Sequence, residues 1–75
     1  MLKRDIRLSR IDDVKRFVEA AMMRDYDIDL VSGKYVVNGK SIMGIFSLDL
    51  ASPIHMEAHC DDDPVLLAAI QDFLV

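Results

Sequence analysis

The stretch that decides the fold is residues 2–22, which read LKRDIRLSRIDDVKRFVEAAM. At its start Leu2, Ile6 and Leu8 are separated by even numbers of residues, so they lie on the same face of an extended chain. This pattern predicts a half-buried strand over residues 2–8. Beyond it Ser9 stands three residues before Asp12, as in a capping box, and a helix is predicted over about residues 10–24. The apolar stripe of this helix consists of Ile11, Val14, Phe17, Val18, Ala21 and Met22.

Further along the chain, turn residues separate two more strand-like segments. Residues 27–31 alternate and residues 34–38 are β-branched or aromatic, so with Ser32-Gly33 between them they predict a β-hairpin. Ser41 then suits the N-cap of a helix of about two turns, roughly over residues 41–48.

The last third of the chain predicts one strand and one helix. Pro53 precedes a strand whose inward residues are Ile54, Met56, Ala58 and Cys60. Asp63 at the N-cap and Pro64 at the first helical position begin the final helix. Its buried stripe consists of Leu66, Leu67, Ile70, Phe73 and Leu74.

The resulting order is β-α-β-β-α-β-α in one domain over residues 1–75. Each strand is apolar on one face only, and amphipathic helices can cover that face while the other meets water. The predicted fold class is therefore α+β, an open-faced two-layer sandwich with a four-stranded antiparallel sheet.

Composition limits the function. A chain of 75 residues is too short to enclose a substrate in its own core, so we expect a module that acts with a larger partner rather than an enzyme. Its single cysteine, Cys60, allows no internal disulfide and no zinc cluster, and a reducing, cytoplasmic location is expected, with no cofactor or metal. We expect no signal peptide and no membrane insertion, because no apolar run is long enough.

The charge is unevenly distributed. Residues 1–24 hold seven Lys/Arg against four Asp/Glu (+3), and residues 25–75 hold two against nine (−7), for a net charge of −4. The net charge argues against direct nucleic-acid binding. A basic cluster is either solvated surface or a contact for an acidic partner. It consists of Lys3, Arg4, Arg7, Arg10, Lys15 and Arg16.

Residues 40–48, KSIMGIFSL, resemble a segment of HPr, the histidine-containing phosphocarrier of the bacterial sugar phosphotransferase system. In that family the regulatory serine lies in a K-S-I-M-G-hydrophobic-M-S-L segment. The resemblance continues without a gap back through the hairpin and first helix, and with about one residue deleted forward through the last helix. The family's known β-α-β-β-α-β-α order agrees with the order predicted here.

The resemblance fails at the family's active site. There a histidine in a G-I-H-A-R-P-A motif accepts phosphate from phosphoenolpyruvate through enzyme I, and the resemblance puts Arg10 in its place, followed by Ile11, Asp12 and Asp13. A guanidinium offers no lone pair near neutral pH, so no catalytic residue is expected here. The two aspartates would also compete with a phosphate at the helix N-terminus.

Ser41 matches the serine that HPr kinase/phosphorylase phosphorylates from ATP, after which the family's protein binds a transcriptional regulator. The resemblance implies regulatory phosphorylation of Ser41 beside Lys40, although a plain N-cap is the alternative. It also implies an exposed docking patch of Ile42, Met43 and Phe46, with core packing as the alternative. Arg10 and Arg16 are the remaining predicted partner contacts.

Three functions stay open. The first is a regulatory protein-binding module, similar to the catabolite repression HPr-like protein, which lacks the histidine and keeps the serine. The second is a working phosphocarrier, and the third is a diverged interaction domain with an unrelated partner. Asp12 stands where the family has a partner-binding arginine, which puts recognition by the usual partners in question.

The other chemically notable residues favour structural roles. The His-x-Glu-x-His spacing of residues 55–59 could present metal ligands, but an exposed polar strand face is preferred. Cys60 is expected to be a buried, inert thiol, and Asp61, Asp62 and Asp63 to solvate a loop and begin the last helix.

Overall fold

The computed structural model describes residues 1–75 and contains four strands and three α-helices in the order β-α-β-β-α-β-α. The strands are β1 (Leu2–Ile6), β2 (Ile28–Ser32), β3 (Tyr35–Asn38) and β4 (Ile54–Ala58). The helices are α1 (Ile11–Met22), α2 (Ile42–Phe46) and α3 (Pro64–Ala69), and a 3-10 turn over Gln71–Phe73 follows α3. The predicted element order and fold class are confirmed.

The sheet is antiparallel with the strand order β1-β4-β2-β3. The last strand of the chain, β4, lies between β1 and β2, and Ala58 is level with Leu2 on one side and with Ile28 on the other. Both long-range pairings therefore depend on one five-residue strand.

The core lies on the one face of the sheet that the helices cover. Its members alternate along β4 and recur at helical spacing on α1, as the sequence predicts. The buried apolar residues are Leu2, Ile6, Leu8, Val14, Phe17, Val18, Ala21, Ile28, Leu30, Ile45, Leu48, Ile54, Met56, Ala58, Leu66, Ile70 and Phe73. On the opposite face of β4, His55 and Glu57 are partly exposed.

The hairpin between β2 and β3 closes through the two residues Gly33 and Lys34, since Ser32 pairs with Tyr35. Gly33 has a φ of 59°, and no other residue of the chain has a positive φ. A positive φ at the first central position only is the pattern of a type II′ turn, which favours glycine there.

The predicted ends of the first helix are wrong at both sides. The N-cap is Arg10 rather than Ser9, because the Asp13 carboxylate, not that of Asp12, reaches back to the preceding backbone N–H groups. The helix stops at Met22, and the ends of its predicted stripe, Ile11 and Met22, are 64% and 65% exposed. These terminal turns extend past the part of the helix that covers the sheet.

The last helix is also shorter than predicted. It ends at Ala69, and after the 3-10 turn Leu74 is extended and forms an antiparallel bridge with Ile6. Leu74 is consequently exposed rather than part of the buried stripe. Two further bonds tie this segment to the β1 side: the N–H of Arg7 donates to the Phe73 carbonyl, and the N–H of Val75 to the Asp5 carbonyl.

Asp63 holds the start of α3. Its carboxylate accepts hydrogen bonds from the N–H groups of Val65 and Leu66 and from the Tyr26 hydroxyl, and Arg24 lies 3.4 Å away. The Tyr26 hydrogen bond, followed by that of Leu66, lowers the pKa of the Asp63 carboxyl. Burial, and then the bond to Asp63, raises the pKa of the Tyr26 hydroxyl.

Helix α2 provides a matched pair for testing the core. Ile45→Ala should lower the free energy of unfolding by about 2–5 kcal/mol, because Ile45 is fully buried and truncation leaves a cavity. Met43→Ala, at an exposed position on the same helix, should change it by less than about 0.5 kcal/mol. Urea unfolding measures both, and equal losses would contradict the assigned orientation of α2.

Asp63 also predicts a pH dependence. A carboxyl whose pKa is lowered by folding stabilises the fold above its unfolded value of about 3.9 and loses this effect as the pH falls through the folded-state pKa. Asp63→Asn should therefore unfold at a lower temperature than the parent at pH 7, and the difference should shrink below about pH 4. Asp62→Asn, at an exposed neighbour, is the control, and an Asp63→Asn difference that stays constant to low pH would refute the account.

Candidate functional site

The N-terminus of α1 carries an internal carboxylate. Asp13 is 11% exposed in its side chain, and its Oδ2 accepts hydrogen bonds from the N–H of Ser9 (3.2 Å) and of Arg10 (3.3 Å). The Arg10 guanidinium is 76% exposed and lies 3.6 Å from Asp13 Oδ1. The first turn therefore already holds an anion, which occupies two backbone donors at the place where a phosphate would approach.

Beside this turn lies a surface groove of about 680 Å³ between the start of α1 and the end of the chain. Arg16 is fixed within it, since its Nη2 contacts Asp72 Oδ2 at 3.0 Å and its guanidinium carbon lies 5.0 Å from the centre of the Phe73 ring. The residues that line the groove are Arg7, Ser9, Arg10, Asp13, Arg16, Asp72, Phe73, Leu74 and Val75.

Ser41 is the N-cap of α2, as predicted. Its Oγ accepts a hydrogen bond from the Gly44 N–H at 3.1 Å, and the side chain is part-buried. Gly44 packs closely beneath it, because a Cβ there would lie 3.3 Å from Ser41 Oγ and 3.4 Å from Val37 Cβ. Lys40 places its Nζ 2.8 Å from the carbonyl oxygen of Arg24, which ties α2 to the chain leaving α1.

The other face of α2 is apolar and exposed. Ile42, Met43 and Phe46 are 37%, 82% and 41% exposed, whereas Ile45 points into the core. Core packing, the alternative for these residues, is excluded by their exposure. Met22 and Met23 at the end of α1 are exposed as well, and α1 packs against α2.

Sequence comparisons identify no matching protein-family model and no matching curated protein. Solved structures do match. HPr-C-His from Thermoanaerobacter tengcongensis superposes with a TM-score of 0.78 at 26% identity, over 96% of this chain and 89% of that chain. The phosphocarrier protein HPr from Bacillus anthracis str. Ames superposes with a TM-score of 0.71 at 26% identity, over 99% of this chain and 96% of that chain. The chain has the HPr fold and resembles these HPr proteins over nearly its whole length.

Within this HPr-family fold the predicted site residues form two groups. Arg10 and Arg16 share the groove at the start of α1, and the other group lies at α2. The α2 group consists of Lys40, Ser41, Ile42, Met43 and Phe46. The equivalence of Arg10 with the family's phosphohistidine stays a prediction from the sequence.

The two histidines belong to neither group and are paired with acids. His55 places Nδ1 2.9 Å from Asp5 and Nε2 3.2 Å from Glu57, and His59 places Nε2 2.8 Å from Asp29. No group of three or more His, Cys, Asp or Glu side chains is arranged to hold a metal ion. None of the helices is both long and apolar enough to cross a lipid bilayer.

The sequence analysis did not predict part of the groove. Asp72 and Phe73 come from the other end of the chain, so no local pattern points to them. The i, i+3 spacing of Arg10 and Asp13 is a local signal for an ion pair, which the sequence analysis did not use. The structure brings Arg7 into the groove with Arg10 and Arg16, whereas Lys3, Arg4 and Lys15 of the predicted basic cluster do not line it. Cys60, predicted to be buried, lies in the bend after β4 and is partly exposed.

The capping role of Asp13 can be measured. Asp13→Ala should lower the free energy of unfolding by about 1 kcal/mol, because the N–H groups of Ser9 and Arg10 lose their acceptor. In a domain of this size such a loss lowers the melting temperature by about 4–8 °C. Asp12→Ala removes a carboxylate from the same turn without that contact and should have less than half the effect. Equal losses of stability in the two variants would show that the negative charge, and not the hydrogen bonds of Asp13, stabilises this turn.

Proposed function

We propose that this HPr-family chain is a regulatory protein-binding module that carries no phosphate on histidine and is switched by phosphorylation of Ser41. The observation that supports this most directly is a contrast between two helix starts. Helix α1 begins with an exposed arginine and an internal carboxylate, whereas α2 begins with a serine hydroxyl beside exposed apolar side chains.

Two features oppose phosphate transfer at the start of α1. A phosphoryl acceptor needs a nucleophilic lone pair, and the Arg10 guanidinium has none to offer near neutral pH. A bound phosphate also uses backbone donors at a helix start, and two donors of this turn, the N–H groups of Ser9 and Arg10, already bond to Asp13. A dianion entering this turn would meet like charge.

Ser41 is suited to a switch because its modification would change charge more than shape. A phosphoserine carries about −1.5 to −2 charges at pH 7 and three strong acceptor oxygens. At Ser41 that charge would lie beside Lys40 and next to the exposed Met43. A partner that packs on the apolar face of α2 would meet a different electrostatic surface, so its affinity would change.

By resemblance the partners are HPr kinase/phosphorylase and a transcriptional regulator, and the chain would act in the cytoplasm. Flexible, polarizable methionine suits a surface that meets more than one partner. Asp12 inverts the charge of a position that the family uses for partner binding, so affinity for the usual regulator should be weaker than that of a phosphocarrier HPr.

An interaction domain with an unrelated partner is the second candidate. The exposed Met22 and Met23, which the sequence pattern assigns in part to the core, enlarge the apolar surface at the end of α1. A surface of this kind needs no phosphorylation to bind a partner.

Two parallel incubations test the proposal by intact mass and site mapping. With ATP and HPr kinase/phosphorylase we expect one phosphoryl group on Ser41, absent in Ser41→Ala, because only the serine resembles a family acceptor. With phosphoenolpyruvate and enzyme I we expect no phosphorylation, because Arg10 cannot accept it.

The outcomes separate the candidates. Ser47→Ala, which removes an exposed hydroxyl from the far end of α2, is the matched control and should be phosphorylated normally. Phosphate on His55 or His59 in the second incubation would restore the phosphocarrier hypothesis. If both incubations leave the protein unmodified, the interaction domain without a phosphoserine switch is favoured.

A further inference from the structure

The two edges of the sheet differ in how their outward backbone groups are used. At the β1 edge, the last residues of the chain lie alongside the strand from Asp5 onward. The N–H of Val75 donates to the Asp5 carbonyl, and the N–H of Arg7 donates to the Phe73 carbonyl. This part of the β1 edge is therefore closed to a further strand.

The opposite edge, β3, is open. The Gly39 N–H donates to the Ile28 carbonyl at 2.7 Å, and hydrogen-bonded pairs alternate with non-bonded pairs along an antiparallel ladder. Counting back from this bond, Val37 and Tyr35 bond to β2, whereas Val36 directs its N–H and C=O away from the sheet. No hydrogen bond from a turn or a loop reaches these two groups of Val36.

The side chains of this edge are apolar and exposed. Tyr35 and Val36 are 72% and 63% exposed, and no other apolar side chain of the four strands is comparably exposed. Charged residues usually protect an edge strand from pairing, but β3 contains none, and Lys34 lies in the turn before it. An uncharged edge with an unbonded N–H and C=O can accept a further strand.

The sequence of β3 is complementary to itself. In an antiparallel pair of two copies centred on Val36, the N–H of each Val36 donates to the Val36 carbonyl of the other copy. Tyr35 is then level with Val37, and Lys34 with Asn38. A twofold axis through the centre of the pair repeats each contact, and no like charges face one another.

The charges beside the edge favour the same occupant. Asp29, which is level with Asn38, lies opposite Glu57 of β4, so two acidic residues are neighbours across the strands. Asp29 contacts His59 of its own chain, but a carboxylate can accept further hydrogen bonds. Lys34 forms no ion pair within the chain. The pairing brings Lys34 of each copy to the end of the strand where Asp29 of the other lies.

We propose that two copies of this chain pair antiparallel through β3 and form one sheet of eight strands across a twofold axis. The contact is small, and an interface below about 1,200 Å² is typical of transient complexes, so the dimer forms only at high protein concentration. This inference goes beyond the proposed switch and does not rest on phosphorylation of Ser41.

The test is sedimentation equilibrium of the full chain together with NMR. The weight-average mass should rise from the 8.5 kDa of one chain towards twice that value as the protein concentration increases from about 10 μM to about 1 mM. Hydrogen exchange of the Val36 amide should slow over the same range, because its N–H becomes bonded. In a mixture of differently labelled chains, contacts between the Val36 signals of the two copies should appear.

Matched variants locate the contact. Val36→Lys places two cations at the twofold axis and should raise the dimer dissociation constant at least about tenfold. Val65→Lys makes the same change at a position on α3 that is 66% exposed, and it should raise the constant less than about twofold. Val36→Pro removes the outward N–H without removing a bond to β2 and should also weaken the dimer. Circular dichroism checks that all three variants fold.

Each other outcome overturns the proposal. A mass that stays at one chain up to about 1 mM would show that the short length of β3 and Lys34 are sufficient to protect this edge. A dimer that both Val36 variants leave unchanged, or that Val65→Lys weakens equally, would place the contact elsewhere. Fast exchange of the Val36 amide in a dimeric sample would exclude strand pairing. None of these results bears on phosphorylation of Ser41, which is measured separately.

Discussion

The structure depends on the insertion of β4 between β1 and β2. Residues 54–58 pair with residues 2–6 on one side and with residues 28–31 on the other, so the sheet cannot close until these distant segments meet. The strand buries Ile54, Met56 and Ala58 on its inner face, which requires helices on that face and leaves the other to water. The positions of α1 and α3 follow from this single constraint. The last residues of the chain lie beside β1 and form one side of the groove at the start of α1.

Local signals in the sequence were sufficient for most of the fold. Asp63 followed by Pro64 marked the start of α3, and Ser41 marked the start of α2, because a capping residue acts on donors two or three positions away. The alternation of apolar and polar residues identified the buried face of β4 correctly, because it too is a relation between close neighbours in the sequence. These features involve neighbours along the chain, so an isolated sequence contains the information.

The errors concern features that distant contacts decide. Ile11 and Met22 fit an apolar stripe, yet these two end positions of α1 are exposed. Leu74 is exposed because it lies in an extended segment instead of the last helix. The last helix ends early, and the extended backbone after it forms hydrogen bonds to the β1 side. The helical spacing of apolar residues gives no information about these long-range bonds. The groove could not be predicted for the same reason, since it joins residues 7–16 to residues 72–75. The family resemblance located Ser41 and the exposed face of α2, but it gave no information about Asp72 or Phe73.

Under the proposed function, the fold and the site have diverged to different degrees. The chain keeps the HPr architecture over 96–99% of its length at 26% identity to each solved structure. A buried strand tolerates any apolar residue of suitable volume, so a sheet survives extensive substitution. A phosphoryl-accepting turn needs one nucleophile and several free donors in fixed positions, so a few changes remove it. This difference explains how one chain can retain the fold and start α1 with Arg10 and Asp13.

The Asp13 contact has a consequence for any anion in solution. A carboxylate tethered three residues from its donors competes as an intramolecular ligand, whose effective concentration is on the order of millimolar or higher. An external anion present at micromolar concentration would have to displace it to bond to the N–H groups of Ser9 and Arg10. Free phosphate and metabolite anions thus meet an internal competitor for the N–H groups of Ser9 and Arg10. Only a ligand that gains additional contacts outside the turn can compete there.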